Sequence, residues 1–369
     1  MPWDDPDVLF VGDVARALVD LDRVEGLLAF RLPYPASAQR ALNRWVLRAL
    51  QERTTPPASV PGMVELCQER PVVDWPLNLP GCVFTERSLL LDGEHGLLTD
   101  LCHEVALTVG VANPWSEILQ VLDGAADLCR DRRDAQAYEA FRRLLVERPV
   151  LDNDAVTSIA FEMHLGPLES LPGELYTEVG GRWREGGEAR ECEVCHHLAV
   201  PLDDDTWVCE SDRCGGAGTD QEWFDDSRLF HLDRVHRQFV SRPGRVVLDL
   251  AARLAKCGVE VATWAGYGSY DLRIVFDGGH SWAVQVVDWS SPALAGAAAL
   301  PVVDSPQADQ VFRVVPAHRL VSEPDYISTF EQFQPDQGTV PLLSDAELLA
   351  RVRRRLDAHA RWSDRGGDA

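Results

Sequence analysis

Apolar residues recur three and four positions apart over Asp7–Val24, Ser37–Glu52, Glu94–Val109, Trp115–Cys129 and Ala135–Glu147, the spacing that lines one face of an α-helix. Pro56-Pro57 within Thr54–Pro61 marks a loop, and Asn113-Pro114 and Pro149 mark boundaries. Beyond residue 240 the pattern changes. Pro243-Gly244 opens a helix with Val247, Leu250, Ala251 and Leu254 on one face and Gly258 as its stop. Val259–Trp264, Asp271–Phe276 and Ser281–Trp289 are rich in Val, Ile, Phe and Trp and read as strands, the last two joined by an Asp277-Gly278-Gly279 turn. Ser291–Leu300, made of small residues, reads as a helix, and Val311–Val315 as a further strand. Ser344–Trp362 is an amphipathic helix: Ser344 and Glu347 form a capping box, and Leu348, Leu349, Val352 and Leu356 make its apolar stripe.

No unit of 20 to 50 residues repeats, so a solenoid is not expected. The pattern predicts a multidomain chain. A mainly α region covers residues 1–165, a linker and small zinc ribbon 166–240, and an α/β domain with a C-terminal basic amphipathic helix 241–369.

Composition narrows the function. With 46% hydrophobic residues the chain can bury a good core. A charge of −24, from 59 acids against 35 bases, repels phosphate on average and disfavours a general nucleic-acid coat, which leaves room for a local basic patch. Lys256 is the one lysine. The acidic opening Met1-Pro2-Trp3-Asp4-Asp5 does not resemble a signal peptide, and no apolar run is long enough to span a membrane. The expected location is the cytoplasm.

The nine cysteines fall into two groups. Cys67, Cys82, Cys102, Cys129 and Cys257 are scattered among apolar neighbours and read as reduced, buried thiols. Cys192-x₂-Cys195 and Cys209-x₄-Cys214, thirteen residues apart, have the spacing of two zinc knuckles. Two disulfides and four free thiols are the competing readings, opposed by a reducing compartment and by the pairwise clustering. A full set of four thiolates leaves no open position, so the zinc would be structural, with His196 and His197 as spare ligands. His95, His103 and His164 sit among apolar residues and read as structural, and the Arg130–Asp134 run as a solvated helix end or linker.

Chemistry concentrates in the Asp271–Trp289 strand pair. An acid opening one strand and a polar residue midway along the next is the layout of a PD-(D/E)XK nuclease core, where the first acid and a (D/E/Q)-x-K triplet bring Mg²⁺ and a lysine to a phosphodiester. Asp271 fits the first position and Gln285-Val286-Val287 the triplet. Gln285 still offers an oxygen, whereas Val287 can do nothing a lysine does. Strand alternation sets Arg273 on the side of Asp271; it can clamp phosphate but is a poor base. Arg351, Arg353, Arg354 and Arg355 of the last helix offer a phosphate-binding or partner-binding face, against the simpler reading of a solvated one.

Taken together, YEAFRRLLVERPVL, the four-cysteine ribbon with WVCESDRCG, PGRVVLDLAARL and YDLRIVF…WAVQVVDWSSP resemble the restriction-endonuclease-like protein of the PIWI-RE three-gene islands. The resemblance spans most of the chain and is looser before residue 130. It implies a neighbouring PIWI/Argonaute-like protein and helicase as partners, DNA as a target, and a role in defence against phage and plasmids. The family pattern is similar to D-x-K-D-W followed by Pro. Here Gln285 stands for the acid and Val287 for the lysine, while Asp288 and Trp289 match. An acid of the preceding helix also belongs to the pattern, and Asp249 is the nearest candidate. The catalytic candidates are therefore Asp271, Gln285 and Asp249. The expected function is a degenerate nuclease fold that binds DNA or a partner. The alternative is a working Mg²⁺-dependent endonuclease with an altered site, in which Asp288 joins only if the strand bulges.

Overall fold

The computed structural model describes residues 2–25, 32–81, 83–111, 115–162, 164–202, 206–214, 218–224, 228–300, 307–335 and 340–366. Cys82 and the Asn113-Pro114 boundary lie outside the described residues. Two compact units interleave along the chain: Met1–Glu117, Glu178–His231 and Trp289–Ala298 form the first, and Ile118–Thr177, Leu232–Asp288 and Ala299–Ala369 the second.

The first unit is built on helices α1 (Pro6–Glu25), α2 (Ala36–Glu52), α3 (Val60–Glu69) and α4 (Asp100–Thr108). α1 packs on both α2 and α4, and Trp45 meets Phe10 and Trp75 with ring centroids 5.4 and 4.7 Å apart. α4 begins later than the periodicity from Glu94 predicts. Leu91 and Leu98 bridge to one another, and the Thr99 hydroxyl caps the helix by accepting the Cys102 N–H at 3.1 Å. The ribbon belongs to this unit. β1 (Ala189–Cys192) pairs with β4 (Thr219–Phe224), and β2 (Ala199–Pro201) with β3 (Trp207–Cys209), both antiparallel.

The second unit holds most of α5 (Ser116–Arg132), then α6 (Ala135–Glu147), α7 (Asn153–Glu162) and α8 (Arg242–Ala255). Its mixed sheet consists of β5 (Glu260–Thr263), β6 (Leu272–Val275), β7 (Ser281–Val286), β8 (Gln310–Val315) and β9 (Leu342–Ser344), in the order β9-β8-β7-β6-β5. β5, β6 and β7 are antiparallel neighbours, whereas β8 runs parallel to β7 and to β9. The parallel β7–β8 step needs a crossover, and the short helix Pro292–Ala297 lies within it. At the β6–β7 turn Gly278 and Gly279 take φ of 83°, which only glycine adopts freely.

Two helices, α9 (Ala317–Ser322) and α10 (Tyr326–Phe333), together with β9, are too short for periodicity to reveal. α11 (Asp345–Gly366) closes the unit behind its capping box: Glu347 N–H donates to the Ser344 hydroxyl at 3.1 Å, and Ser344 N–H to the Glu347 carboxylate at 2.8 Å. The described chain thus has a mainly helical N-terminal region, a four-cysteine ribbon and a C-terminal mixed sheet. Among the described residues no helix is long and apolar enough to cross a membrane.

Candidate functional site

Cys192 ends β1 and Cys209 ends β3, so strand pairing brings the two knuckles together. His196, at a φ of 58°, turns the first knuckle and lets its N–H reach the Cys192 carbonyl at 2.9 Å. The four sulfurs lie within 4.8 Å of one another, with Cys195 and Cys209 at 3.5 Å, and all four residues are buried. These separations are too long for a disulfide. They match the edge of a tetrahedron about 3.8 Å long, as a metal–sulfur distance of about 2.3 Å requires.

Sulfur–sulfur hydrogen bonds divide the thiols. Cys195 falls well below the ordinary thiol range and Cys192 drops to about 7, while Cys209 and Cys214 are pushed up. A cation would remove that competition. The Ser211 N–H also donates to Cys209 Sγ at 3.4 Å. His196 and His197 stand outside the sulfur cluster, His196 paired with Glu191 at 2.8 Å. The group can hold a metal ion and is compatible with a zinc ribbon. Its second knuckle docks on α4, where Asp212 accepts the Asp100 N–H at 2.9 Å.

In the second unit the sheet register aligns the nuclease-like residues. Arg273 pairs with Ala283, so Asp271 stands opposite Gln285, and alternation keeps Asp271, Arg273, Gln285 and Val287 on one face. The Asp271 carbonyl accepts the Trp264 N–H at 2.7 Å, and its N–H donates to the Val284 carbonyl at 3.0 Å. Asp271 Oδ2 then accepts the Val286 N–H at 2.8 Å, closing the ladder where a backbone carbonyl would otherwise stand. Burial pushes this carboxyl above its ordinary range, and the Arg142 guanidinium and the Val286 N–H pull it only part of the way back. Gln285 is half-buried.

The remaining acids do not join Asp271. Asp249 is 69% exposed on α8, where it meets Arg253, and Arg253 continues to Asp345 at 2.6 Å. Asp288 is buried against Arg319 at 2.7 Å and His318 at 3.0 Å, so its charge is spent on an internal ion pair. Mg²⁺ prefers several oxygen donors, mostly charged. Asp271, with one oxygen committed to the ladder, and a neutral amide do not fit that demand. Lys256 is exposed at the end of α8, in a cleft of about 580 Å³ shared with Arg253 and Arg353.

The tail arginines separate into two pairs. Arg351 lies 5.4 Å over the Phe312 ring, and Arg355 lies 4.9 Å over Phe276 and 5.8 Å over Trp282. These two pack α11 on the sheet through cation–π contact. Arg353 and Arg354 are exposed.

Sequence reasoning passed over Arg142 and Glu104. Arg142 shares the apolar face of α6 with Tyr138 and Leu145, and a charge on such a stripe was the available signal. Glu104 lies among the buried residues of α4 in the same way.

Residues 10–152 match the family model described as pPIWI_RE three-gene island domain Y, and residues 244–360 match the one described as REase associating with pPIWI_RE. No curated protein and no solved structure matches the chain.

Proposed function

We propose, from the premise that this chain belongs to the PIWI-RE three-gene-island proteins and joins the island's domain Y to its associated restriction-endonuclease-like domain, that it is a nuclease-fold subunit with a degenerate catalytic site. It serves a prokaryotic defence system against phage or plasmid DNA. It acts by holding DNA or its partner, and its partners are the PIWI/Argonaute-like protein and the helicase of the same island. The Cys192, Cys195, Cys209 and Cys214 cluster carries a structural zinc.

One observation carries the reading. Val287 stands where the lysine belongs, on the face of Asp271 and Gln285, and the one lysine of the chain lies at the exposed end of α8. Positioned acid–base help of the kind that lysine supplies is worth roughly 10²–10⁴-fold in rate. The loss of a charged donor to the phosphate adds to that deficit.

The test is cleavage. Purified, zinc-retaining protein is incubated with supercoiled, linear and single-stranded DNA in Mg²⁺ or Mn²⁺. The expected result is intact DNA, with protein–DNA or protein–partner complexes recovered by co-purification. Metal-dependent cleavage that disappears in Asp271→Ala overturns the degenerate reading in favour of an active endonuclease with an altered site.

A further inference from the structure

α8 stops at Ala255 and turns at Gly258, with a φ of 86°, whereas α11, packed on it, runs for 22 residues. Arg253 ties the two helices together through Asp345 at 2.6 Å. Past that tie the apolar stripe of α11 loses its cover. Leu348, Leu349 and Val352 are buried, but Leu356 is only half-buried. The gap is a cleft of about 580 Å³, lined by Leu349 and Leu356 from α11 and by Cys257 from the end of α8.

Charge stands around this apolar lining. Lys256 and Arg353 both line the cleft, both are exposed, and neither has an ion-pair partner among the described residues. In a chain with 59 acids against 35 bases, two unpaired cations at one apolar cleft are a local exception to the field of the whole. Their neighbour Arg253 is held by Asp345 and Asp249 and adds little further attraction. The complementary occupant is therefore apolar in one part and acidic in another. A nucleic-acid strand does not answer to this. The lining holds no aromatic ring on which a base could stack. Asp357 at the cleft, and Asp249 beside Arg253, also repel a run of phosphates. A protein segment meets the same carboxylates with backbone N–H donors.

Resting on the reading that this chain holds a partner of its island, we propose that the α8–α11 cleft docks a segment of that partner protein in which an apolar side chain is flanked by carboxylates. The apolar side chain covers Leu356 and Cys257, and the carboxylates pair with Lys256 and Arg353. Burying the exposed part of Leu356 supplies non-directional attraction. The two cations supply register and speed of encounter. The surrounding charge of −24 repels an acidic segment elsewhere, which confines it to this cleft. The one lysine of the chain thus serves recognition of a protein, away from the triplet that lacks it.

In the experiment the PIWI-like protein and the helicase of the island are each titrated against the full, zinc-retaining chain, and a DNA oligonucleotide separately. Lys256→Glu and Arg353→Glu are each expected to weaken binding of one partner roughly tenfold or more and to leave DNA affinity unchanged. Alkylation of Cys257, mapped by mass spectrometry, should slow when that partner is bound. Thermal melts monitor folding; if a charge reversal fails to fold, Lys256→Gln or Arg353→Gln replaces it. Unchanged partner binding in both variants overturns the site, and so does an equal loss of DNA affinity. If wild type binds neither partner, the partner reading falls, and a fluorescent peptide of alternating leucine and glutamate tests the cleft by itself, with a leucine–lysine peptide as control. Binding of the acidic peptide that both variants abolish keeps the cleft. No binding, or equal binding of the basic peptide, removes it.

Discussion

Glu104 closes its carboxylate on the backbone of Ser290 and Ser291. Oε1 accepts the Ser290 N–H at 2.6 Å, and Oε2 accepts the Ser290 hydroxyl at 2.8 Å and the Ser291 N–H at 2.9 Å. Glu104 is 1% exposed, so these three donors take the place of its water. Trp115 reinforces the clasp, meeting Trp289 at 5.5 Å and donating its indole N–H to the Ala298 carbonyl at 2.7 Å. This explains why Trp289–Ala298 belongs to the first unit although its neighbours on either side in sequence belong to the second.

Glu104→Ala would strand three donors, two of them backbone, and is expected to lower the free energy of unfolding by roughly 3 kcal/mol. Glu104→Gln keeps two acceptor lone pairs on one oxygen and should cost less. Urea unfolding of the three proteins checks both the size and the order.

Removal of the metal should act locally. Structural zinc in finger-like peptides contributes about 10–16 kcal/mol of apparent binding energy, far more than strands as short as β2 and β3 can replace. One zinc per chain is expected by elemental analysis. Cys209→Ser, or a strong chelator, should expose residues 189–224 to protease while most of the helical signal stays. A chain that purifies without stoichiometric zinc and still protects this segment contradicts the assignment.

Asp288 and Arg319 make a second local test. Arg319→Met removes the guanidinium that faces the buried Asp288 carboxylate and is expected to cost about 3–5 kcal/mol. The double change Asp288→Asn with Arg319→Met should recover much of it. If the single variant is as stable as wild type, Asp288 is not held by this pair.

Asp233 provides a pH dependence with a definite sign. Burial raises its carboxyl, but the hydrogen bonds and charge of His236, whose Nδ1 is 2.6 Å away, outweigh burial and hold it below the ordinary value of 3.8. A depressed carboxyl contributes stability that is complete above the unfolded value and is lost as pH falls through the folded one. Thermal melts of wild type and Asp233→Asn should therefore differ above the unfolded carboxyl value and converge as the pH falls through the lower, folded one. Convergence on raising the pH would show the reverse linkage.

Much of the architecture was legible in the chain because it rests on local rules. The helix Ala135–Glu147 follows from periodicity, α11 from the Ser344–Glu347 box, and the β6–β7 hairpin from Asp277-Gly278-Gly279. The four cysteines announced their convergence by spacing, since a knuckle is a property of a few consecutive residues. The missing lysine was likewise visible at Val287. Tertiary structure alone decided which acids meet. Asp249 was the nearest candidate for the helix acid and Asp288 joined only if its strand bulged; in the structure one is turned to solvent and the other is neutralised by Arg319, a residue 31 positions away. It also decided that α6 joins the nuclease-like sheet and brings Arg142 to it, and that Glu104 grips Ser290 across 186 positions. Periodicity reports which face of an element is buried, not what covers it. A buried charge declares its partner only when the chain has folded around both.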